Sequence, residues 1–236
     1  MQVVTNQGFV KTRGRLGRLA SLLGFAILIG GLVLSFQNNE MVFVAYIALI
    51  PGYAAIMYGN YATLRWGIKP RVDEIIGGAL KSLDHKHYLF NYQGNLPAEN
   101  LLLTPNGLVV LEVRPYVGEF QIDAKGRWHR KRGLAGWLLV LGEGALGNPT
   151  RDGARKAESV KQYLSDQLGP EVAAQVPVES VVVFTHPRAK LTVENPDVAA
   201  ALARDLRGQI KRPRDGARMP NETYRQVTRL LRESAA

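Results

Sequence analysis

Two uninterrupted apolar runs near the N-terminus most constrain how this chain can fold. Residues 19–36 and residues 41–58 each contain 18 residues without a charged side chain. At 1.5 Å per residue, each run would form a helix of about 27 Å, close to the roughly 30 Å of hydrocarbon in a bilayer. A helix also satisfies its own backbone polar groups there. The sequence therefore predicts a transmembrane helical hairpin within residues 19–66.

Basic side chains flank this hairpin outside both spans, whereas the link between the spans has no Lys or Arg and carries Glu40. The flanking cations are Lys11, Arg13, Arg15, Arg18, Arg65, Lys69 and Arg71. By the positive-inside rule, the sequence predicts a multi-pass protein of the cell membrane with both termini and the C-terminal domain in the cytoplasm. Residues 1–18 would then form a basic cytoplasmic arm. A cleaved signal peptide, the alternative, is disfavoured because a second span follows.

The rest of the chain has the composition of a basic, water-soluble domain. Residues 1–66 hold 6 charged side chains and residues 67–236 hold 44, and the whole chain has a formal net charge of +10. The absence of cysteine excludes a disulfide scaffold, a thiolate metal site and a cysteine nucleophile. A basic surface favours anionic partners, which leaves nucleic acid and anionic lipid headgroups as candidates.

Alternating helix and strand signals predict an α/β domain with a mixed sheet. The predicted strands are 87–92, 99–104, 108–113, 120–123, 127–131 and 180–185, and the predicted helices are 72–83, about 20 residues from Asn148-Pro149, 197–206 and 222–232. The Pro105-Asn106-Gly107 turn indicates a hairpin between the second and third strands. The fully apolar run 180–185 is typical of a buried central strand.

Acidic and basic side chains converge at one end of this predicted hairpin. Residues two apart on a strand share a face, so Glu112 and Arg114 project together. In an antiparallel hairpin, Glu99 would lie opposite residue 112 or 113. Two carboxylates beside one cation would suit Mg²⁺, whose bound water can attack a phosphodiester. On spacing alone, a surface ion pair between Glu112 and Arg114 is the alternative.

The run from Ala98 to Gly118, followed by Trp128, Asn148-Pro149 and the strand 180–185, resembles the nuclease-related domain (NERD) family. That family is a branch of the PD-(D/E)xK phosphodiesterase-like fold. The resemblance implies a three-layer α/β/α restriction-endonuclease-like domain, which we place at residues 67–190, with basic C-terminal helices in residues 191–236. It also implies nucleic acid as the partner and Mg²⁺ or Mn²⁺ as the cofactor.

The family's site residues carry over position by position. Glu99 takes the place of the family's Asp, Asn100 that of its His, Glu112 that of its Glu, and Arg114 that of its Lys. The resemblance thus implies Glu99 and Glu112 as metal ligands and Arg114 as a phosphate clamp. Because Arg is always protonated, it cannot deprotonate a water as a lysine of lowered pKa can. We therefore expect hydrolysis to be weakened.

Two supporting residues follow from the same resemblance. Asp152 takes the place of the family's Gln in the helix after Asn-Pro, and Glu74 falls in the first helix, where the family often has a Glu. Lys156, one helical turn after Asp152, is a candidate to replace the missing amine, or else a solvated helix residue. The implied catalytic set is Glu99, Glu112, Arg114 and Asp152, with Glu74 in support.

Basic residues alternate with an aromatic one between residues 127 and 132. The predicted nucleic-acid-binding residues there are Arg127, Trp128, Arg130, Lys131 and Arg132. Alternatively, Trp128 belongs to the core and the cations face water or lipid headgroups. In the tail, Arg225, Arg229 and Arg232 share one helical face, for which solvent, nucleic acid and lipid all stay open.

The sequence thus predicts a membrane-anchored NERD-like domain that binds nucleic acid, with weakened divalent-metal-dependent phosphodiester hydrolysis. The alternative is a catalytically inactive, membrane-tethered module that binds protein or lipid.

Overall fold

A computed structural model describes residues 1–37, 42–131, 146–211 and 218–235 of the chain. They form two compact units. The first, which we call the α/β domain, comprises the described residues of Met1–Asn6, Val72–Lys131 and Leu146–Ala236. The second, which we call the helix pair, comprises the described residues of Gln7–Arg71. In sequence, the helix pair therefore interrupts the α/β domain.

The helix pair consists of two long helices and a short π-helical turn. Helix α1 spans Gln7–Gln37, helix α2 spans Val42–Ala62, and the turn spans Thr63–Gly67. Both helices are long and apolar enough to cross a membrane, as judged by length and composition. Because α1 begins at Gln7, most of the residues predicted as a basic arm are helical.

Glycines, rather than large side chains, fill the contact between α1 and α2. Gly24 and Gly31 of α1 and Gly52 and Gly59 of α2 are buried. A Cβ at Gly24 would lie 2.7 Å from the carbonyl oxygen of Gly52, so only glycine permits this approach. The large apolar side chains are exposed instead, and on α1 they include Leu22, Phe25, Ile29 and Phe36.

A six-stranded mixed sheet forms the centre of the α/β domain. The strands are β1 (Gln2–Thr5), β2 (Tyr88–Asn91), β3 (Asn100–Thr104), β4 (Gly107–Arg114), β5 (Glu119–Ile122), β6 (Trp128–Lys131), β7 (Val178–Phe184), β8 (Lys190–Val193) and β9 (Ala200–Leu202). The large sheet has the order β1-β2-β3-β4-β7-β9. Strand β3 is antiparallel to β2 and β4, and the other neighbours are parallel. Strand β7 lies between two strands, which confirms its predicted central position.

Helices cover both faces of the large sheet. They are α3 (Val72–Leu80), α4 (Pro149–Leu168), α5 (Pro170–Ala173), α6 (Leu206–Lys211) and α7 (Asn221–Glu233). Helices α3 and α6 pack on one face, over a buried cluster that includes Leu102 and Val181. Helices α4 and α7 pack on the other face, over a cluster that includes Leu101 and Val110. This arrangement confirms the predicted three-layer α/β/α fold with a mixed sheet.

A second sheet has the strand order β6-β5-β8. Strands β5 and β6 are antiparallel, which confirms the predicted hairpin, and β8 is parallel to β5. A third apolar cluster, which includes Phe120, Phe184 and Leu202, joins this sheet to the ends of β7 and β9. The small sheet is therefore fixed to the same end of the large sheet as the carboxyl ends of its parallel strands.

The helix predicted at residues 197–206 was wrong. That segment contains β9 and a 3₁₀ turn at Ala203–Asp205, before the short helix α6. Its alanines favour a helix locally, but β9 pairs with the open edge of β7, and this pairing outweighs propensity. Strand β1 was not predicted either, because its partner lies far along the chain, with Gln2 opposite Tyr88.

Candidate functional site

An acidic and a basic side chain lie together at the carboxyl end of β4. Glu112 and Arg114 lie two residues apart and therefore share a face of the strand. Glu112 is 1% exposed. Its Oε1 lies 2.6 Å from Arg114 Nη1, although the N–H groups of Arg114 are not aligned for a hydrogen bond to this oxygen. The contact is thus a buried ion pair.

Helix α4 adds further charged side chains. Asp152 Oδ2 accepts a hydrogen bond from Arg114 Nη2 at 2.6 Å, and Lys156 Nζ donates to Glu112 Oε2 at 2.8 Å. Asp152 also pairs with Arg155. We call Glu112, Arg114, Asp152 and Lys156 the β4–α4 cluster, since two of them come from each element.

Two features of α4 hold it in this position. The side chain of Asn148 caps the helix by accepting a hydrogen bond from the backbone N–H of Arg151 at 3.1 Å. Gly153 faces the sheet, where a Cβ would lie 3.0 Å from Ser180 Cβ and 3.4 Å from Glu112 Cβ. The glycine therefore permits the close approach of helix and strand that forms the cluster.

The members of the cluster differ in their exposure. The side chains of Glu112 and Arg114 are 1% and 13% exposed, against 28% for Asp152, 35% for Lys156 and 71% for the neighbouring Arg155. Lys156 and Arg155 thus form the outer basic surface, whereas Arg114 is largely buried in contact with both carboxylates. Cations held in this way suit an anionic ligand such as a phosphate group.

Glu99 lies just before β3, at the position that the strand register places opposite the cluster residue Glu112. Leu101 pairs with Val110, and the same register extended by two residues places Glu99 opposite Glu112. Glu99 is half-buried, and its carbonyl oxygen accepts a hydrogen bond from the backbone N–H of Tyr92 at 2.6 Å. The role of Glu99 as a metal ligand stays a prediction.

The segment that carries this geometry also matches a known family. Residues 73–185 match the family model described as nuclease-related domain, NERD. The α/β domain is NERD-like. No curated protein and no solved structure matches the chain. The match supports the resemblance found in the sequence, and it covers the whole β4–α4 cluster, whereas β1 and α7 lie outside it.

The divalent metal that a NERD-like domain implies does not fit the cluster in this arrangement. Mg²⁺ needs several oxygen ligands, whereas each carboxylate of the cluster already contacts two cationic side chains. In the parts of the chain that the structure describes, no three His, Cys, Asp or Glu side chains come together as a metal site. A metal ion would first have to displace Arg114 or Lys156 from Glu112. No metal-assisted step therefore follows from the arrangement.

The supporting residue Glu74 and Asn100, which takes the place of the family's His, lie on the other side of the sheet. Glu74 is exposed on α3, which covers the face opposite to Glu112. Asn100 is buried in β3, and because side chains alternate along a strand it shares the face of Leu102. The structure does not bring Glu74 or Asn100 to the β4–α4 cluster of the NERD-like domain.

The β5–β6 hairpin engages several of its predicted nucleic-acid-binding residues in internal contacts. Trp128 Nε1 donates to Thr150 Oγ1 at 2.8 Å, and the ring packs against Phe184. Arg127 Nε donates to Asp123 Oδ2 at 2.8 Å. Trp128 therefore contributes to packing beside the start of α4, as the alternative interpretation of the sequence expected.

The remaining basic residues of the hairpin differ in their surroundings. Arg130 donates to the carbonyl oxygen of Val117 at 2.7 Å and lies over the rings of Tyr116 and Phe120. Lys131 is exposed, and Arg132 lies outside the described residues. Among the described members of this predicted group, Lys131 and Arg127 are thus the exposed ones, and Arg127 is paired with Asp123.

Asp123 organises the turn of this hairpin. Its carboxylate accepts hydrogen bonds from the backbone N–H groups of Arg127 and Lys125 and from the side chain of Arg127, and it contacts His129. The backbone N–H of Arg127, followed by His129 and the guanidinium, holds the pKa of Asp123 well below its usual value. The acid is therefore a structural element of the turn.

Lys156 and Arg155 show what the sequence could and could not reveal. Helical spacing from Asp152 pointed to Lys156, and the structure brings its ammonium to Glu112. Arg155 was missed, because one exposed arginine on a charged helix carries no distinguishing signal. Only the contact with Asp152 connects it to the cluster.

Proposed function

We propose that this chain is a membrane-anchored NERD-like protein whose α/β domain binds nucleic acid on the cytoplasmic side of the cell membrane. The observation that carries the proposal is the β4–α4 cluster. Its carboxylates contact Lys156 and the neighbouring Arg155, which form an outward-facing basic surface within the NERD match, and they also contact the largely buried Arg114. Such groups suit phosphodiester oxygens, and a net charge of +10 attracts polyanions.

The same cluster favours binding over hydrolysis. Arg114 is always protonated, so it can hold a phosphate but cannot accept a proton from water. Lys156 Nζ donates a hydrogen bond to the buried carboxylate of Glu112, so it is engaged in an ion pair. In this arrangement both cations act as phosphate-binding groups, and the carboxylates act by positioning them.

The helix pair supports the membrane anchor. Helices α1 and α2 expose large apolar side chains and bury glycines, a distribution that suits lipid better than water. Strand β1 precedes α1 and β2 follows α2, yet both belong to one sheet. Because a sheet stays on one side of a bilayer, the helix pair crosses it twice or not at all. The flanking cations favour the cytoplasm for that side.

The test is nucleic-acid binding by the full chain in nanodiscs of neutral lipid. Fluorescence anisotropy with labelled single- and double-stranded DNA and RNA, in EDTA, should show binding that weakens as salt rises. The double variant Arg155→Gln/Lys156→Gln should weaken binding roughly tenfold, because two phosphate-binding cations are lost. Lys161→Gln is the matched control, since Lys161 lies on the same helix but pairs with Glu158. Circular dichroism verifies that each variant is folded.

Absence of binding to every probe would contradict the proposal and favour a membrane-tethered module for protein or lipid. A second assay repeats the incubation with Mn²⁺ and follows cleavage on a denaturing gel. We expect cleavage no faster than that of the Glu112→Gln variant. Efficient cleavage by the natural sequence, lost in that variant, would overturn the preference for binding over hydrolysis.

A further inference from the structure

The C-terminal helix α7 presents a second basic surface in the α/β domain. Arg225, Arg229 and Arg232 follow one another at spacings of four and three residues, so they share one face of the helix over about 10 Å. All three side chains are exposed. Within residues 1–37, 42–131, 146–211 and 218–235, no carboxylate forms an ion pair with them. This row of charge is therefore available to an external anion.

A groove of about 590 Å³ runs beside this row. The three arginines line it together with Tyr88 of β2 and with Tyr224 and Thr228 of α7. A depression of about 250 Å³ shares Tyr224 and Arg225 with the groove, and Lys86 and Arg218 line it as well. Among the described residues, Glu233 is the one that lines these two spaces with a carboxylate. We call the two spaces together the α7 groove.

The two tyrosines of the α7 groove are held by the fold. The Tyr224 hydroxyl donates to the carbonyl oxygen of Lys86 at 2.7 Å, and the ring of Tyr88 stacks on that of Phe90 with centroids 6.3 Å apart. Both side chains are half-buried, so each is fixed and still reaches the groove. Fixed aromatic faces beside a basic track are the arrangement on which unpaired bases stack.

We infer that the α7 groove binds single-stranded nucleic acid, with the arginines on its phosphates and the bases against Tyr88 and Tyr224. The inference rests on the proposed function, for which it names a second contact surface and the preferred strand form. A duplex would offer the arginines the same phosphates, but its paired bases would not reach the tyrosines. Single strands should therefore bind more tightly than duplexes.

Anionic lipid is the other ligand that a basic helix can bind, and the surface of α7 disfavours it. A helix that lies on a membrane inserts an apolar face beside its cations. Among the described residues, none of the large exposed apolar side chains lies on α7. Its apolar residues Val227 and Leu231 are buried against the sheet instead. The α7 groove thus offers charge and aromatic faces, without an apolar face for a bilayer.

The experiment uses the full chain in nanodiscs of phosphatidylcholine and a fluorescein-labelled oligothymidylate of about 20 nucleotides. In the variant Arg225→Gln/Arg229→Gln/Arg232→Gln, we expect binding at least tenfold weaker. The slope of log K against log salt should become shallower by about 2, since each phosphate contact on a single strand contributes about 0.7. The control Lys81→Gln/Lys125→Gln/Lys161→Gln removes the same charge from exposed positions outside both basic surfaces. It should change binding less than twofold.

A second variant separates stacking from charge. Tyr88→Leu keeps an apolar side chain and should weaken single-strand binding roughly tenfold, with duplex binding unchanged. Equal effects on single strands and duplexes would contradict stacking. A thermal melt by circular dichroism shows whether the variant is folded as the natural sequence is.

The outcomes distinguish this inference from the proposed function. If the natural sequence binds nucleic acid and the triple arginine variant binds equally well, the inference about the α7 groove is overturned and the proposed function stands. If the natural sequence binds no nucleic acid, the proposed function itself fails. Native mass spectrometry covers the remaining case: if the triple variant only loses co-purified anionic lipid, the groove is a lipid site and the inference is overturned.

Discussion

In the helix pair most of the large apolar side chains are exposed, whereas in the α/β domain most of them form the core. Phe36 of α1 is 83% exposed, while Leu102 of β3 has no exposed surface. The buried positions of the helix pair belong mainly to glycines such as Gly24 and Gly52. Apolar composition alone therefore does not say where a side chain lies, because the surrounding solvent decides which residues turn outward.

The two units also differ in their charges. Residues 7–37 and 42–71 contain seven Lys and Arg residues and no Asp, Glu or His. The α/β domain instead mixes both signs, and Glu112 and Asp152 fix particular cations. Acidic side chains thus position the basic ones in the domain, whereas the cations of the helix pair flank its apolar spans.

The largest expected effect comes from removing one unit. Replacing residues 7–71 with a flexible Gly-Ser linker of about 20 residues keeps β1 and the rest of the α/β domain. We expect the full chain to sediment with membranes and this variant to stay in the supernatant, because the exposed apolar surface is gone. Ultracentrifugation of cell lysates measures the difference, and sedimentation of both proteins would contradict the assigned role of the helix pair.

Truncating one leucine in each unit should show that the buried leucine stabilises the protein and the exposed one does not. Leu102→Ala removes a fully buried side chain and should lower the free energy of unfolding by about 2–5 kcal/mol. Leu22→Ala, at a position that is 66% exposed, should lower it by less than about 0.5 kcal/mol. Thermal denaturation in detergent, followed by circular dichroism, compares them. Equal losses would mean that Leu22 has a protein contact.

In the helix pair, adding a side chain at a buried glycine should be more destabilising than removing an exposed leucine side chain. Gly24→Leu should separate α1 from α2 at a cost of about 1–3 kcal/mol, because its Cβ would lie 2.7 Å from Gly52 O. Gly30→Leu is the control, since no atom of the described residues lies within 4 Å of its added Cβ.

Cysteine crosslinking reports this separation, and the chain has no native cysteine to interfere. A Cβ at Gly31 would lie 3.4 Å from that of Ala48, close to disulfide distance. The pair Gly31→Cys/Ala48→Cys should crosslink in the Gly30→Leu background and poorly in the Gly24→Leu background. Equal yields in both would show that the helices do not depend on Gly24 for their approach.

The smallest expected effect is the response to acid, which should come from the α/β domain. The pKa of Asp123 is lowered in the folded state. Its contribution to the stability of the turn is therefore fully present above the unfolded-state pKa, near 4, and is lost as the pH falls through the folded-state pKa. Amide exchange at Lys125 and Arg127 should therefore rise, relative to the intrinsic rate, as the pH falls below about 4. In Asp123→Asn the same amides should be unprotected at every pH, and protected amides would show that the carboxylate does not hold the turn.

Local sequence patterns sufficed to predict the strands and the helix that position the β4–α4 cluster. Strands β3 and β4 follow from two apolar runs on either side of a turn, α4 from its cap, and the shared face of Glu112 and Arg114 from the period of a strand. The approach of Lys156 to Glu112 depends on Gly153 and Ser180, which lie on different elements, so spacing could suggest that contact but not establish it. Strand β9 was misassigned for the same reason, because its partner β7 decides its conformation.

Strand β1 leaves the ribosome before the strand that it will pair with. Both apolar helices are translated in between, so the sheet can close only after they have been made. A molecule with a single inserted helix would hold β1 and β2 on opposite sides of the bilayer, and the unpaired edge of β2 would be open to aggregation. For the membrane anchor proposed above, closure of this sheet therefore requires that both helices cross the bilayer or that neither does.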